Sequence, residues 1–275
     1  MNCLDNPRVK LSGASELAFP PASRALEAFG LKFSPGGAHI SRTMMLAELS
    51  ATLANVPQGS DPTAYRDAIL DRNILGKSTD STRRESLRRL RELYALDEST
   101  PIFALLRKLQ AIDPASVPLL AVQVAWGRDP LLRATTPPII NAADGERVET
   151  DSLAQSIEAF FPGQYSDLSK NQTARHAASS WTQSGHLIGR SKKTRRRVIP
   201  TATAVAMALF LGDISGLYGY TAFSGPWCRI LDLDPDRARA MSIEAHKGGL
   251  LDFRAVGEVV ELRFPLFAEF RERHS

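Results

Sequence analysis

The sequence predicts a mainly α chain of tandem helix-turn-helix, winged-helix-like units that carry small β-hairpin wings. Three observations predict it. Capped amphipathic segments recur along most of the chain. A short polar motif occurs twice, 91 residues apart. A run of six cations with no acid, "GRSKKTRRR" at 189–197, lies between two apolar-patterned stretches.

Composition narrows the class. With 275 residues, 43% of them hydrophobic, the chain can bury a sizeable core, and wholesale disorder is excluded. Cys3 and Cys228 are the only cysteines. That excludes a disulfide framework and a cysteine-rich zinc site, and it suits a reducing cytosol. The net charge of +4 is informative only through where the cations lie. The opening "MNCLDNPRVKLSG" lacks the apolar core of a secretion signal. The longest apolar run, 198–212, contains Pro200 and falls short of the roughly 20 residues a membrane span needs. It reads as a buried core helix, and no membrane partner is expected.

The elements follow in order. Residues 1–40, rich in Pro, Gly and Ser, read as an N-terminal arm and entry loop. A helical helix-turn-helix unit spans 41–140. Ser41 is expected to cap a helix over 41–56, and Asp61 with Pro62 opens another over 61–74. Thr82-x-x-Glu85 has the form of a capping box for a helix over 81–95. Thr100-Pro101, Asp113-Pro114 and Asp129-Pro130 read as further helix starts, and "TPPIINAADGERVET" as a loop or small hairpin. A second unit, 141–223, holds helices over 151–161 and 170–184, a hairpin over 187–199 with a basic wing, and the apolar helix. The last segment, 224–275, reads as a helix and a β-hairpin turning at Gly257, in which Val260, Leu262 and Phe264 alternate.

"STDSTRR" at 78–84 and "SKNQTAR" at 169–175 share the pattern Ser-x-(Asp/Asn)-(Ser/Gln)-Thr-x-Arg. Their neighbours align at the same offset: "RDAIL" lies over "IEAFF", Leu87 over Ala178 and Leu90 over Trp181. Two packed helices joined by a short connection are helix-turn-helix grammar. Trp181 is expected to pack against Phe160 or Phe161. On the outer face, Arg84, Arg88 and Arg91 recur one turn apart, and Arg175, Ser179 and Thr182 occupy the equivalent places. Arg, Asn, Ser and Thr hydrogen-bond phosphates and base edges, and a helix N-terminus offers backbone N–H groups to a phosphate. The bland alternative is a pair of ordinary caps on solvated faces, with Glu85–Arg89 and Arg88–Glu92 pairing at i+4. The basic run after the second helix favours nucleic acid. The candidate contacts are Lys77, Ser78, Thr82, Arg83, Arg84 and Arg88 in the first copy. In the second they are Ser169, Lys170, Asn171, Thr173 and Arg175, with Lys192, Lys193, Arg195, Arg196 and Arg197 in the wing.

Other chemistry is not indicated. "GKS" at 76–78 lacks the earlier glycine of a phosphate-binding loop, since residue 71 is Asp. "DLDPD" at 232–236 has Arg237 and Ile243 where a calcium loop needs Gly and Glu, and reads as a helix cap. The histidines lack metal-ligand spacing, and His176 reads as a surface residue. Cys228 has no His–Asp context. No cofactor, metal or catalytic constellation is expected.

"FSPGGAHISRTMMLAEL", "YRDAILDRNILGKSTDSTRRESLRRLRELYAL" and "LSKNQTARHAASSWTQSGHLIG" resemble the BrxA family of bacteriophage-exclusion (BREX) defence systems. The similarity covers roughly residues 33 to 190, and it is carried most specifically by Asn73, Leu75, Lys77, Ser78, Thr82 and Arg84. The resemblance implies a small, mainly helical, cytosolic DNA-binding protein without catalysis of its own, acting beside the other components of a phage-defence locus. From the residues alone the reading is a double-stranded DNA-binding protein that works largely through phosphates. The alternatives are a helical adaptor docking an acidic protein partner and an RNA-binding, antitermination-like factor.

Overall fold

The computed structural model describes residues 18–257 and 259–272. The arm predicted for 1–40 therefore lies partly outside the described residues. The helices are α1 (Arg24–Phe29), α2 (Leu46–Asn55), α3 (Pro62–Leu70), α4 (Asp80–Tyr94), α5 (Pro101–Ile112), α6 (Val117–Arg128), α7 (Pro130–Ala134) and α8 (Thr136–Ile140). Then come α9 (Thr150–Phe160), α10 (Asp167–Gln183), α11 (Ala202–Ile214), α12 (Thr221–Ser224), α13 (Pro226–Arg229), α14 (Pro235–Lys247) and α15 (Ala268–Glu272). Two antiparallel pairs complete the chain: β1 (Leu187–Ile188) with β2 (Thr194–Arg195), and β3 (Asp252–Val256) with β4 (Val259–Arg263).

Two helices form the centre. α6 and α11 are apolar on nearly every face, and both are buried along almost their whole length. The apolar run after the wing is thus the core helix α11. Among the described residues no helix is long and apolar enough to cross a membrane. α4 and α5 pack on α6, and α13 and α14 pack on α11. Trp126 and Trp227 meet edge-on at 4.8 Å, and the Phe19 ring reaches Trp126 at 5.1 Å. One apolar cluster runs from Leu26 to Phe270, so the segments read from the sequence share a single core.

Several cations are spent inside. Arg133 Nη1 donates to the carbonyls of Trp126 and Gly127 at the end of α6, and Arg128 Nη1 donates to Gly30 O at 2.6 Å. Arg107 donates to Leu53 O and Val56 O behind α2. Helix ends leave carbonyls without intrahelical partners, and buried guanidinium forks satisfy them here.

The predicted helix pairs are present as α3–α4 and α9–α10, each packed together. Asp61, Asp129 and Asp234 cap their helices, as their positions before proline suggest, and Thr201 caps α11. Three local expectations are corrected. The helix expected from Ser41 begins at Leu46, because 38–40 form a 3-10 turn and Met44 N–H is taken by Ser180 Oγ from α10. The α4 cap is Thr79, paired reciprocally with Thr82; Glu85 instead binds Arg88 and Arg89. The 136–149 stretch is neither plain loop nor hairpin. It makes α8, then a turn at Gly145 and a short extended stretch; the Gly145 and Val148 N–H groups donate to Arg195 O and Lys193 O of the β1–β2 hairpin.

Candidate nucleic-acid interface

The two copies of the polar motif do not occupy equivalent places. Carried over by 91 residues, Thr79 falls on Lys170, yet the N-cap of α10 is Ser166. All of 169–175 is therefore helical, whereas Ser78 and Thr79 precede α4. The buried faces do keep the offset. Ser86, Leu87 and Leu90 are buried in α4, and Ala177, Ala178 and Trp181 are buried in α10.

In the first copy the cations are neutralised locally. Arg84 Nε pairs with Asp80 at 2.6 Å, and Arg88 and Arg89 share Glu85 at 2.8 Å. Those two guanidiniums hold the Glu85 carboxyl down at about 2. Arg83 Nη1 donates to Leu70 O at 2.6 Å, tying α4 to the end of α3. Lys77 Nζ pairs with Glu48 at 2.9 Å. Asn73 grips the Lys77 backbone, accepting from its N–H and donating to its carbonyl. Asn tolerates the positive φ of 49° that this requires. Ser78 and Thr82 are exposed, but the Thr82 hydroxyl is engaged with Thr79. The outer face of α4 is a laced surface helix.

The second copy differs. Thr173 is buried on the inner face of α10, which corrects its assignment as a contact. Lys170 Nζ sits between Glu158 at 2.6 Å and Asp167 at 2.9 Å, and those carboxylates raise its pKa. The Ser169 hydroxyl accepts from Ser166. Among the described residues, Asn171 and Arg175 make no side-chain hydrogen bond or ion pair, and Arg175 is exposed. Leu168, 75% exposed, lies on the first turn of the same helix.

The β1–β2 hairpin turns through Gly189, whose φ is +95° and where a Cβ would lie 2.1 Å from Lys192 O. The segment 145–148 pairs with β2, and β2 pairs with β1, so β2 lies between the other two. The basic run divides. Arg195, 1% exposed, is buried against the Asp232 carboxylate and the carbonyls of His186 and Arg196, so it cannot reach a ligand. That corrects its assignment as a DNA contact. Asp232 also accepts Val198 N–H at 2.8 Å and faces Arg197 at 3.3 Å. Lys193 Nζ donates to Thr182 Oγ1 and Gly189 O, each at 2.9 Å, and burial lowers its pKa. Arg190, Lys192 and Arg196 are exposed and carry no ion pair among the described residues.

Sequence reasoning missed one polar constellation. His39 links Asp129 to Ser180 in the order of a nucleophile triad, with all three side chains buried. Gly36 and Gly37 were the available signal. At Gly37 a Cβ would lie 2.1 Å from Asp129 Oδ1, so only glycine lets that carboxylate reach His39 N–H at 3.1 Å. The described residues contain no cluster of three or more His, Cys, Asp or Glu side chains able to hold a metal ion.

Comparison with known proteins finds no matching family model, no matching curated protein and no matching solved structure.

Proposed function

We propose that the chain is a non-catalytic double-stranded DNA-binding protein that docks through the outer face of α10 and its wing. The observation that carries this is a set of four exposed cations, Arg175, Arg190, Lys192 and Arg196, without ion pairs among the described residues, on one helix–hairpin unit. On α4, by contrast, Arg84 and Arg88 are paired with Asp80 and Glu85. A cation left without a protein partner is available to neutralise a phosphate and release its counterions. The order of elements supports a winged helix-turn-helix: an extended segment, α9, α10, then a hairpin whose second strand pairs back to that segment. The recognition surface is then α10 alone, with α4 acting as a structural counterpart. The resemblance to the BrxA family extends the proposal to a role in a bacteriophage-exclusion locus.

One observation favours the adaptor reading. Ile199 is 78% exposed beside Arg196 and Arg197, over a groove of about 340 Å³. An acidic segment with an aliphatic anchor fits that chemistry. Fluorescence anisotropy with labelled duplex DNA, competed by RNA of the same sequence and by poly-glutamate, separates the readings. Duplex DNA is expected to win. Equal displacement by poly-glutamate at physiological salt would move the adaptor reading ahead.

A further inference from the structure

Between α4 and α10 lies a cleft of about 410 Å³ that the duplex reading does not use. Its walls come from five parts of the chain. The 41–45 connection contributes Arg42, α2 contributes Glu48, and the loop before α4 contributes Lys77. Thr82 and Ser86 line it from α4, and His176 lines it from α10. These are two cations, one carboxylate, two hydroxyls and an imidazole. The imidazole is fixed, since Nδ1 donates to His39 O at 2.9 Å.

Three features mark it as a built site. Lys77 is pinned at both ends: its backbone is gripped by Asn73, and its ammonium is held at 2.9 Å from Glu48. Ser41 Oγ, on the cleft wall, is buried and without a hydrogen-bond partner. A buried hydroxyl without a partner is costly unless something satisfies it. Finally, the connection that carries Ser41 and Arg42 is held rigidly. Met45 sits at a φ of +52°, and Met44 and Leu46 N–H groups are taken by Ser180 and Gln183 of α10.

We infer that this cleft binds a phosphate group, using Arg42 and Lys77 as charge partners and the unpartnered Ser41 hydroxyl as donor. Glu48 is the built-in competitor, occupying Lys77 until the anion displaces it. Such a competitor gives the site a signature that a solvated face lacks: removing an acid from it tightens anion binding.

The test uses the full-length protein in phosphate- and sulfate-free buffer. Inorganic phosphate is titrated while amide shifts of Ser41, Lys77, Thr82 and His176 are followed by NMR. Saturable shifts at those amides are expected. Arg42→Ala and Lys77→Ala should each weaken binding about tenfold, the loss of one charge-assisted hydrogen bond. Glu48→Gln should tighten it severalfold, and thermal unfolding of each variant confirms that it is folded. No saturable shift at the cleft overturns the inference. So does an affinity that Lys77→Ala and Glu48→Gln both leave unchanged. Salt titrations with duplex DNA identify the source of the phosphate. If Lys77→Ala also lowers the slope of log K against log salt by about 0.9, the phosphate belongs to DNA. If the slope holds while the inorganic phosphate response stands, the site takes a free phosphate or phosphomonoester. The inference is independent of the duplex reading: phosphate binding in a protein that ignores DNA would remove that reading and leave this one standing.

Discussion

His39 Nε2 lies 2.8 Å from Ser180 Oγ, while its Nδ1 lies 2.7 Å from Asp129 Oδ2. The order is that of a hydrolase triad, but the surroundings are not. Ser180 Oγ also donates to His176 O and accepts Met44 N–H, and Asp129 caps α7 with its other oxygen. Burial acts against the Asp129 charge, yet His39 and the backbone donors hold its pKa below the ordinary value. The network is a polar rivet joining the Gly36–Gly37 loop, the α6–α7 junction and α10.

The rivet predicts a stability effect without chemistry. His39→Ala or Asp129→Ala leaves a buried partner uncompensated and should destabilise the protein by about 3–5 kcal/mol in urea unfolding. A fluorophosphonate probe should leave Ser180 unlabelled. Labelling at Ser180 would mean that the network opens to solvent and would reinstate a nucleophile.

A second expectation concerns Trp181. It is buried, and two of its partners lie outside α9. Its Nε1 donates to Thr135 Oγ1 at 2.9 Å, and its ring meets His186 at 4.9 Å. Phe160 is 53% exposed. Trp181→Ala should cost about 3–5 kcal/mol, and Phe160→Ala about 0.5 kcal/mol or less. Equal losses would contradict the assigned faces of α9 and α10.

These cases show what the sequence carries and what it does not. The helices were legible because apolar spacing and Asp-Pro starts are local signals, as at Asp61 and Asp129. The start of α2 was not, because Ser180 and Gln183, over a hundred residues later, bind the backbone that Ser41 was expected to cap. The basic β1–β2 hairpin was legible as a charge run. The fate of each cation within it was not: Arg195 is claimed by Asp232, which reads locally as part of a helix cap. The repeated polar motif combined both kinds of information. Its buried phase is shared between α4 and α10, but its caps are not.

Acid should loosen the fold through His186. It is buried, with Nδ1 at 2.8 Å from Ser184 Oγ and Nε2 at 2.7 Å from Ile230 O. Burial pushes its pKa down from 6.5 to about 4. The unfolded chain therefore binds the proton first, so stability is full above pH 6.5 and falls between there and about pH 4. The loss is roughly 3 kcal/mol across that window. His176, lowered first by burial, adds to the slope in the same direction. Glu85, held at about 2 by Arg88 and Arg89, contributes only below its ordinary value of 4.5. Urea midpoints at pH 7, 5.5 and 4.5 measure this. His186→Asn should flatten most of the dependence; an unchanged slope would assign it elsewhere.

The division of the basic run makes the sharpest test of the proposed DNA surface. Arg190, Lys192 and Arg196 are exposed and without ion pairs among the described residues, whereas Arg195 is buried against Asp232. Replacing any of the first three with Ala should leave stability within about 0.5 kcal/mol, as at other exposed sites. Each should lower the slope of log K against log salt by about 0.9 for duplex DNA of any sequence. Arg195→Ala should do the reverse, because it removes the buried guanidinium from Asp232 and leaves that carboxylate only its longer contact with Arg197: stability falls by about 3–5 kcal/mol. The salt slope of its folded fraction should be unchanged. Arg175→Ala on α10 should cost about 1–3 kcal/mol if it reaches a base edge, with relaxed preference at one position. Arg84→Ala and Arg88→Ala on α4 serve as controls, since Asp80 and Glu85 already neutralise those guanidiniums. If the α4 variants lower the slope as much as the wing variants do, the docking surface spans both helices. The ion pairs on α4 must then open on binding, and the polar motif would be a shared contact after all.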